Sequence, residues 1–114
     1  MGSLSALTDH LHAILEAAVV KSLQSLCDLQ LVRVRTVTIA EPMVTGMVCL
    51  TGDLKGVFML TCSEATGEAC ANAMLGQPPN PAELRDVVGE LANVVGGIIV
   101  TRLHALGTRV DISL

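Results

Sequence analysis

Aromatic side chains are almost missing from this chain: Phe58 is the single one in 114 residues, with no Trp and no Tyr. Single-stranded nucleic acid is held largely by stacking bases on aromatic rings, and duplex binding needs a basic footprint. With 7 Lys and Arg against 11 Asp and Glu, and a formal net charge of -4, the chain offers neither. Nucleic acid is therefore not an expected partner. Long hydrophobic runs are also lacking, although 51% of the residues are hydrophobic. The stretch "VVGGIIV" is preceded by Glu90 and Asn93 and falls far short of the roughly 20 residues that span a bilayer. No membrane partner is expected. The N-terminus "MGSLSALTDH" has no basic region of a signal peptide, and Ala6 stands where a myristoylation signal requires Ser or Thr. The expected location is cytoplasmic.

Metal-ligand spacing is absent as well. Cys27, Cys49, Cys62 and Cys70 show neither the short paired spacing of a zinc site nor the density of a secreted disulfide scaffold. Set mostly among apolar or small residues, all four read as buried, reduced thiols. His10, His12 and His104 contain no HExxH-type pair, and His10 and His12, two apart on a helix, point to different faces. No metal site is expected.

What the chain does contain is a patterned core. Its length suits one compact domain with a single core. Leu11, Ile14, Leu15, Ala18, Val19, Leu23 and Leu26 recur at helical spacing, which predicts a helix from Thr8 to Leu26 with Thr8 and Asp9 at its cap. "LQLVRVRTVTI", residues 29–39, alternates as a strand with one wet face does, and Pro42 ends it. Residues 43–62 predict a hairpin whose polar turn carries Gly52, Asp53, Lys55 and Gly56. Ser63 caps a second helix, "EATGEACANAML", which stops at Gly76. In "NPAE", Asn80 caps, Pro81 takes the first helical position and Glu83 completes a capping box, so a third helix runs towards Leu106 and Gly107. "TRVDISL" alternates again as a last strand. The order α, β, β, β, α, α, β predicts an α+β fold with an antiparallel-type sheet and long helices on one face.

The third helix is the informative one. Leu84, Val87, Val88, Leu91, Val94, Val95, Ile98 and Leu103 form an apolar stripe for the sheet. Asp86, Glu90, Asn93, Gly97, Thr101 and His104 follow at steps of three or four and make a polar seam along another line. Gly96 and Gly97 each cost roughly 1 kcal/mol relative to Ala inside a helix. Gly97 removes bulk on the seam where another surface can come close, and Gly96, off that line, is expected to pack against the first helix. Glu-x-x-Asn alone is common on solvated helix faces and says little.

Its context says more. "DVVGELANVVGG" resembles the signature of the CheC/CheX/FliY chemotaxis phosphatases: Asp or Ser, then Glu, then Asn, with a glycine after, at the spacing of Asp86, Glu90, Asn93 and Gly97. The upstream "GDLKGVFMLTCSEATGEACANAMLG" is similar to the family's hairpin and following helix, and the N-terminal helix matches in position. A single Glu/Asn motif is more like CheX than two-motif CheC. The family's pattern continues to a proline beyond Leu114 and to further strands. The expectation is thus one CheX-like domain over residues 1–114, incomplete at its C-terminus or naturally shortened.

The resemblance implies a protein that dephosphorylates an aspartyl phosphate on a CheY-like response regulator, the regulator supplying Mg2+ and a lysine. Glu90 would salt-bridge that lysine and Asn93 would hold the attacking water in line with phosphorus; both are the candidate catalytic residues. A carboxamide both donates and accepts without titrating, and phosphoryl transfer depends mainly on positioning and electrostatics. Asp86 and Gly97 would border the partner, although an acid early in a helix also interacts favourably with its dipole. No cofactor bound by this chain is implied. A second copy, paired through sheet strands, is a further implied partner. The rival reading is a non-enzymatic binding or assembly module on the same fold, which the intact Glu90/Asn93 pair argues against.

Overall fold

The computed structural model describes residues 3–32, 34 and 41–113. Six elements follow one another: α1 (Ser3–Cys27), β1 (Met43–Gly52), β2 (Gly56–Ser63), α2 (Glu64–Leu75), α3 (Pro81–Ala105) and β3 (Val110–Ser113). The three strands form one antiparallel sheet in the order β2-β1-β3. The α+β expectation holds.

Local signals set most of the boundaries. The Ser63 hydroxyl accepts the Thr66 N–H at 3.1 Å and starts α2, which ends where Gly76 adopts φ 76° and donates its N–H to the Asn72 carbonyl. At the start of α3 the Asn80 side chain accepts the Glu83 N–H at 2.8 Å while Glu83 accepts the Asn80 N–H at 3.0 Å. This reciprocal capping box satisfies two of the donors that a helix start leaves unpaired.

Two boundaries depart from expectation. α1 begins at Ser3, so Thr8 lies inside the helix rather than at its cap. No Gly or Pro stands between Ser3 and Thr8 to interrupt the helix, and a capping-type residue does not start one by itself. At the other end Asp28 takes a left-handed φ of 52°, and the Leu29 N–H returns to the Leu23 carbonyl at 3.2 Å. Residues 29–32 and 34 carry no regular structure, and the rest of the strand expected over 29–39 lies outside the described residues.

In the hairpin, Met43 pairs with Ser63 and the ladder runs to Leu50 opposite Gly56. Alternation sends Val44, Gly46 and Val48 inward, all buried, and Thr45, Met47 and Cys49 outward, all exposed. Cys49 is therefore not the buried thiol its neighbours suggested, and Cys62 is only partly buried. The hairpin turn is tied to the chain entering β3. Asp53 donates its N–H to the Arg109 carbonyl at 2.8 Å, and its carboxylate accepts the Arg109 N–H at 2.9 Å.

α3 lies at the centre of the packing. Val95, Ile99 and Leu103 pack with Ile14 and Ala18 of α1 and Val110 of β3. Val87 and Leu91 join Leu23, Cys27, Cys70 and Ala71 between the helices, and Leu84 and Val88 meet Val44 of β1. Fully burying a residue such as Leu91 or Ile99 contributes on the order of 1.5–3 kcal/mol each. The helix also sits very close to the sheet: a Cβ built on Gly46 would lie 2.5 Å from the Val88 carbonyl oxygen and 2.9 Å from the Ala92 Cβ. Only a glycine at position 46 admits that approach.

By length and composition alone α3, with its 25 residues, is long and apolar enough to cross a membrane. The absence of such a segment, expected from the short apolar runs, thus does not describe it. Its apolar side is used on the sheet and on α1, as the core helix of a globular fold requires.

Candidate functional site

Because α3 packs one side on the sheet, the opposite line must emerge at the surface. Asp86 and Glu90 are exposed there, and Asn93 and Gly97 are partly exposed on the same line. Among the described residues the side chains of Asp86, Glu90 and Asn93 take part in no hydrogen bond or ion pair within the chain. Asn93 nevertheless is not sealed off, since Ser22 is the residue whose buried side-chain oxygen lacks a partner. Its amide thus keeps its contact with solvent.

Asp86 and Glu90 are four residues apart, so two carboxylates are neighbours on one exposed helix face, an arrangement that costs a few tenths of a kcal/mol. Asp86 also lies beyond the first helical turn, where the dipole's attraction for an acid has already faded. The pair lowers the stability of the helix slightly and concentrates negative potential beside Asn93.

Asn93 itself stands on bare ground. Gly89 and Gly97 lie four residues before and after it, and a Cβ built on either meets no atom within 4 Å. The carboxamide therefore has no side-chain bulk at the positions four residues before and after it, and Glu90 is its neighbour three residues before. The sequence reading missed Gly89, although the spacing Gly-x3-Asn-x3-Gly was visible. Gly96 differs: its Cβ would meet Ile112 at 3.4 Å and Val48 at 3.5 Å. It faces the sheet rather than the first helix, which corrects the expectation.

The far end of the seam is used differently. The Thr101 hydroxyl donates to the Gly97 carbonyl at 3.0 Å within α3. His104 Nε2 lies 2.7 Å from the Val110 carbonyl oxygen and 3.3 Å from the Val110 nitrogen. Protonated, this nitrogen donates to the carbonyl; bare, it accepts the N–H; in either state the ring joins α3 to β3. Val94 and Ile98, expected in the core stripe, are only partly buried, while Ala92 and Ile99, which the stripe omitted, are fully inside.

Two of the four thiols, Cys62 and Cys70, are held in the protonated form. Burial, followed by a hydrogen bond with Cys27, pushes the Cys70 thiol up to about 12. Burial and then neighbouring Cys70 raise Cys62. Thiols held protonated in this way are poor nucleophiles. Among the described residues no group of three His, Cys, Asp or Glu side chains is placed to hold a metal ion.

Comparison with known proteins identifies the family and the fold. The family model for chemotaxis phosphatase CheX matches residues 44–114, a span that contains the hairpin from its second residue, α2, α3 and β3. Among solved structures, the chemotaxis protein CheX from Vibrio vulnificus is 26% identical with a TM-score of 0.79, the match covering 91% of this chain and 74% of that one. CheX from Desulfovibrio desulfuricans is 22% identical with a TM-score of 0.77, over 91% of this chain and 73% of that one. A CheX-CheY-BeF3-Mg complex from Borrelia burgdorferi shares the fold at 19% identity and a TM-score of 0.69, over 89% of this chain and 71% of that one. No curated protein sequence matches the chain significantly. A family match over more than half of the chain, on the segment that carries the Glu90/Asn93 line, makes this chain a member of the CheX family of chemotaxis phosphatases.

Proposed function

We propose that this chain is a phosphatase for the aspartyl phosphate of a CheY-like response regulator and works in the cytoplasm. Glu90 and Asn93 enter the regulator's phosphorylated cleft. The observation that carries this reading is the state of the two side chains: adjacent on one helix face, open to solvent and unbonded among the described residues. Glu90 forms a charge-assisted hydrogen bond with a lysine of the regulator and fixes the register. Asn93 holds a water in line with the phosphorus, donating and accepting without a change of protonation. Asp86 adds negative charge at the border of the interface. Gly97, with Gly89 on the other side, lets the partner's backbone reach the helix.

The chain's part of the chemistry is positioning. The regulator holds the Mg2+ that neutralises charge on the phosphoryl group, in keeping with the Mg2+ and BeF3 of the CheX-CheY complex that shares this fold. The water attacks phosphorus as the P–O bond to the regulator's aspartate breaks, the bonding pair stays on that carboxylate, and inorganic phosphate departs carrying the water's oxygen, its surplus proton passing to the phosphate or to solvent. No covalent intermediate forms on this chain. A hundredfold contribution from Asn93 corresponds to about 2.7 kcal/mol of barrier, an ordinary share for one positioning group.

The test is the decay of phosphoryl label from a Mg2+-bound CheY-like regulator. Wild type should accelerate the decay, and both Asn93→Ala and Glu90→Ala should lose that acceleration while unfolding in urea at the wild-type midpoint. Folded wild type that speeds the decay of none of the organism's regulators would replace this reading with a non-enzymatic binding module. Pairing with a second copy through sheet strands belongs to the same proposal, and sedimentation of the pure protein measures it.

A further inference from the structure

Beside Gly97, between α1 and α3, the surface sinks into a depression of about 590 Å³ lined by Lys21, Val94, Gly97, Ile98, Thr101 and Arg102. Lys21 and Arg102 are both exposed, and among the described residues neither is held in an ion pair. The sequence explains why. The positions three and four away from Lys21 on its helix are Ala17, Ala18, Gln24 and Ser25, and those around Arg102 are Ile98, Ile99, Ala105 and Leu106, so no carboxylate is within helical reach. Asp9 shares a second depression with Arg102 but makes no ion pair with it.

Two unpaired cations facing one groove stand out in a chain of net charge -4. Arg102 is twelve residues beyond Glu90 on α3, about 18 Å along the axis at 1.5 Å per residue. This exceeds the Debye length of about 8 Å at physiological ionic strength, so the acidic and basic ends of this face do not cancel each other. Gly97 belongs to both the Asn93 line and the depression, which makes the two one continuous surface. The walls given by Val94 and Ile98 are apolar, and a charge pair formed against them is less hydrated and stronger than one in open water.

We propose that this depression receives an acidic side chain of the same response regulator whose phosphorylated cleft takes Glu90 and Asn93. Lys21 and Arg102 grip it from the two helices. The surface is thus bipolar and fits a partner with a cation opposite Glu90 and an acid some 18 Å further along α3. The inference rests on the phosphatase reading, and it adds a second, electrostatic determinant of which regulator is chosen.

The experiment measures kcat and KM for the decay of a phosphorylated, Mg2+-bound CheY-like regulator that wild type accelerates, across a series of salt concentrations. The double variant Lys21→Glu with Arg102→Glu should raise KM at least tenfold at low salt, hold kcat within twofold, and flatten the salt dependence of kcat/KM. Lys21→Arg should retain wild-type KM. Both side chains are exposed, and circular dichroism with a urea midpoint verifies the fold. An unchanged KM and salt dependence in the double variant, with Asn93→Ala still inactive, would overturn the groove proposal and leave the phosphatase reading standing. Wild type inactive on every regulator would overturn both.

Discussion

The exposed line of α3 has two halves made of similar residue types and put to opposite uses. Towards the N-terminus, the side chains of Asp86, Glu90 and Asn93 make no hydrogen bond or ion pair among the described residues. Towards the C-terminus, Thr101 is bonded to Gly97 and His104 to Val110. Polar groups at a surface are ordinarily free to bond to water, so the absence of internal partners is not costly. The difference matters because the first half can redirect its hydrogen bonds to another molecule at no expense to the fold, whereas the second cannot. A polar seam read from sequence is therefore not one functional unit, and helical spacing alone does not divide it.

That division is open to direct attack. The largest expected effect is on rate: Asn93→Ala should slow regulator dephosphorylation about a hundredfold, roughly 2.7 kcal/mol of barrier, and move the urea-unfolding free energy by less than about 0.5 kcal/mol. A stability loss matching the rate loss would erase the distinction between the halves. Next comes His104→Ala, which removes the side-chain hydrogen bond between α3 and β3 while leaving their apolar packing, and should cost about 1 kcal/mol of stability by urea unfolding, with kcat within twofold of wild type. Gly97→Ala separates the two contributions within a single residue. Open space around its Cβ and the gain in helix propensity should raise stability by up to about 1 kcal/mol, while KM for the regulator rises several-fold. Smallest is Thr101→Ala: an exposed back-bond to the preceding turn contributes little, and both stability and kcat should stay within about 0.5 kcal/mol of wild type.

Much of the frame was legible in the sequence because its signals are local. Ser63, Gly76 and the Asn80/Glu83 box act within four residues of themselves, and the hairpin alternates with a period of two, so reading them required no tertiary knowledge. What escaped depends on contacts distant in sequence. Gly46 looks like an ordinary strand glycine until Val88 and Ala92 are laid against it. His104 continues the polar seam by spacing, yet the chain reversal at Gly107 brings Val110 back to its ring. Cys49 has apolar neighbours in sequence and still faces outward, because strand alternation rather than local hydropathy decides its side. Glu90 and Asn93 were singled out through helical spacing and family resemblance, and they lie three residues apart on one line of α3, Glu90 exposed and Asn93 partly exposed. Gly89 was missed because a glycine inside a helix reads first as a weakness in propensity.

The tight seating of α3 over Gly46 has a mechanical consequence. A helix whose backbone rests directly on a strand has little room to roll about its axis or bow inward, so a partner pressing on the outer face pushes against the whole sheet. The absent side chain at position 46 thereby gives the outer face a rigid backstop. The water-positioning role proposed for Asn93 demands aim held to a fraction of an ångström, and this seating supports it from the opposite side of the helix.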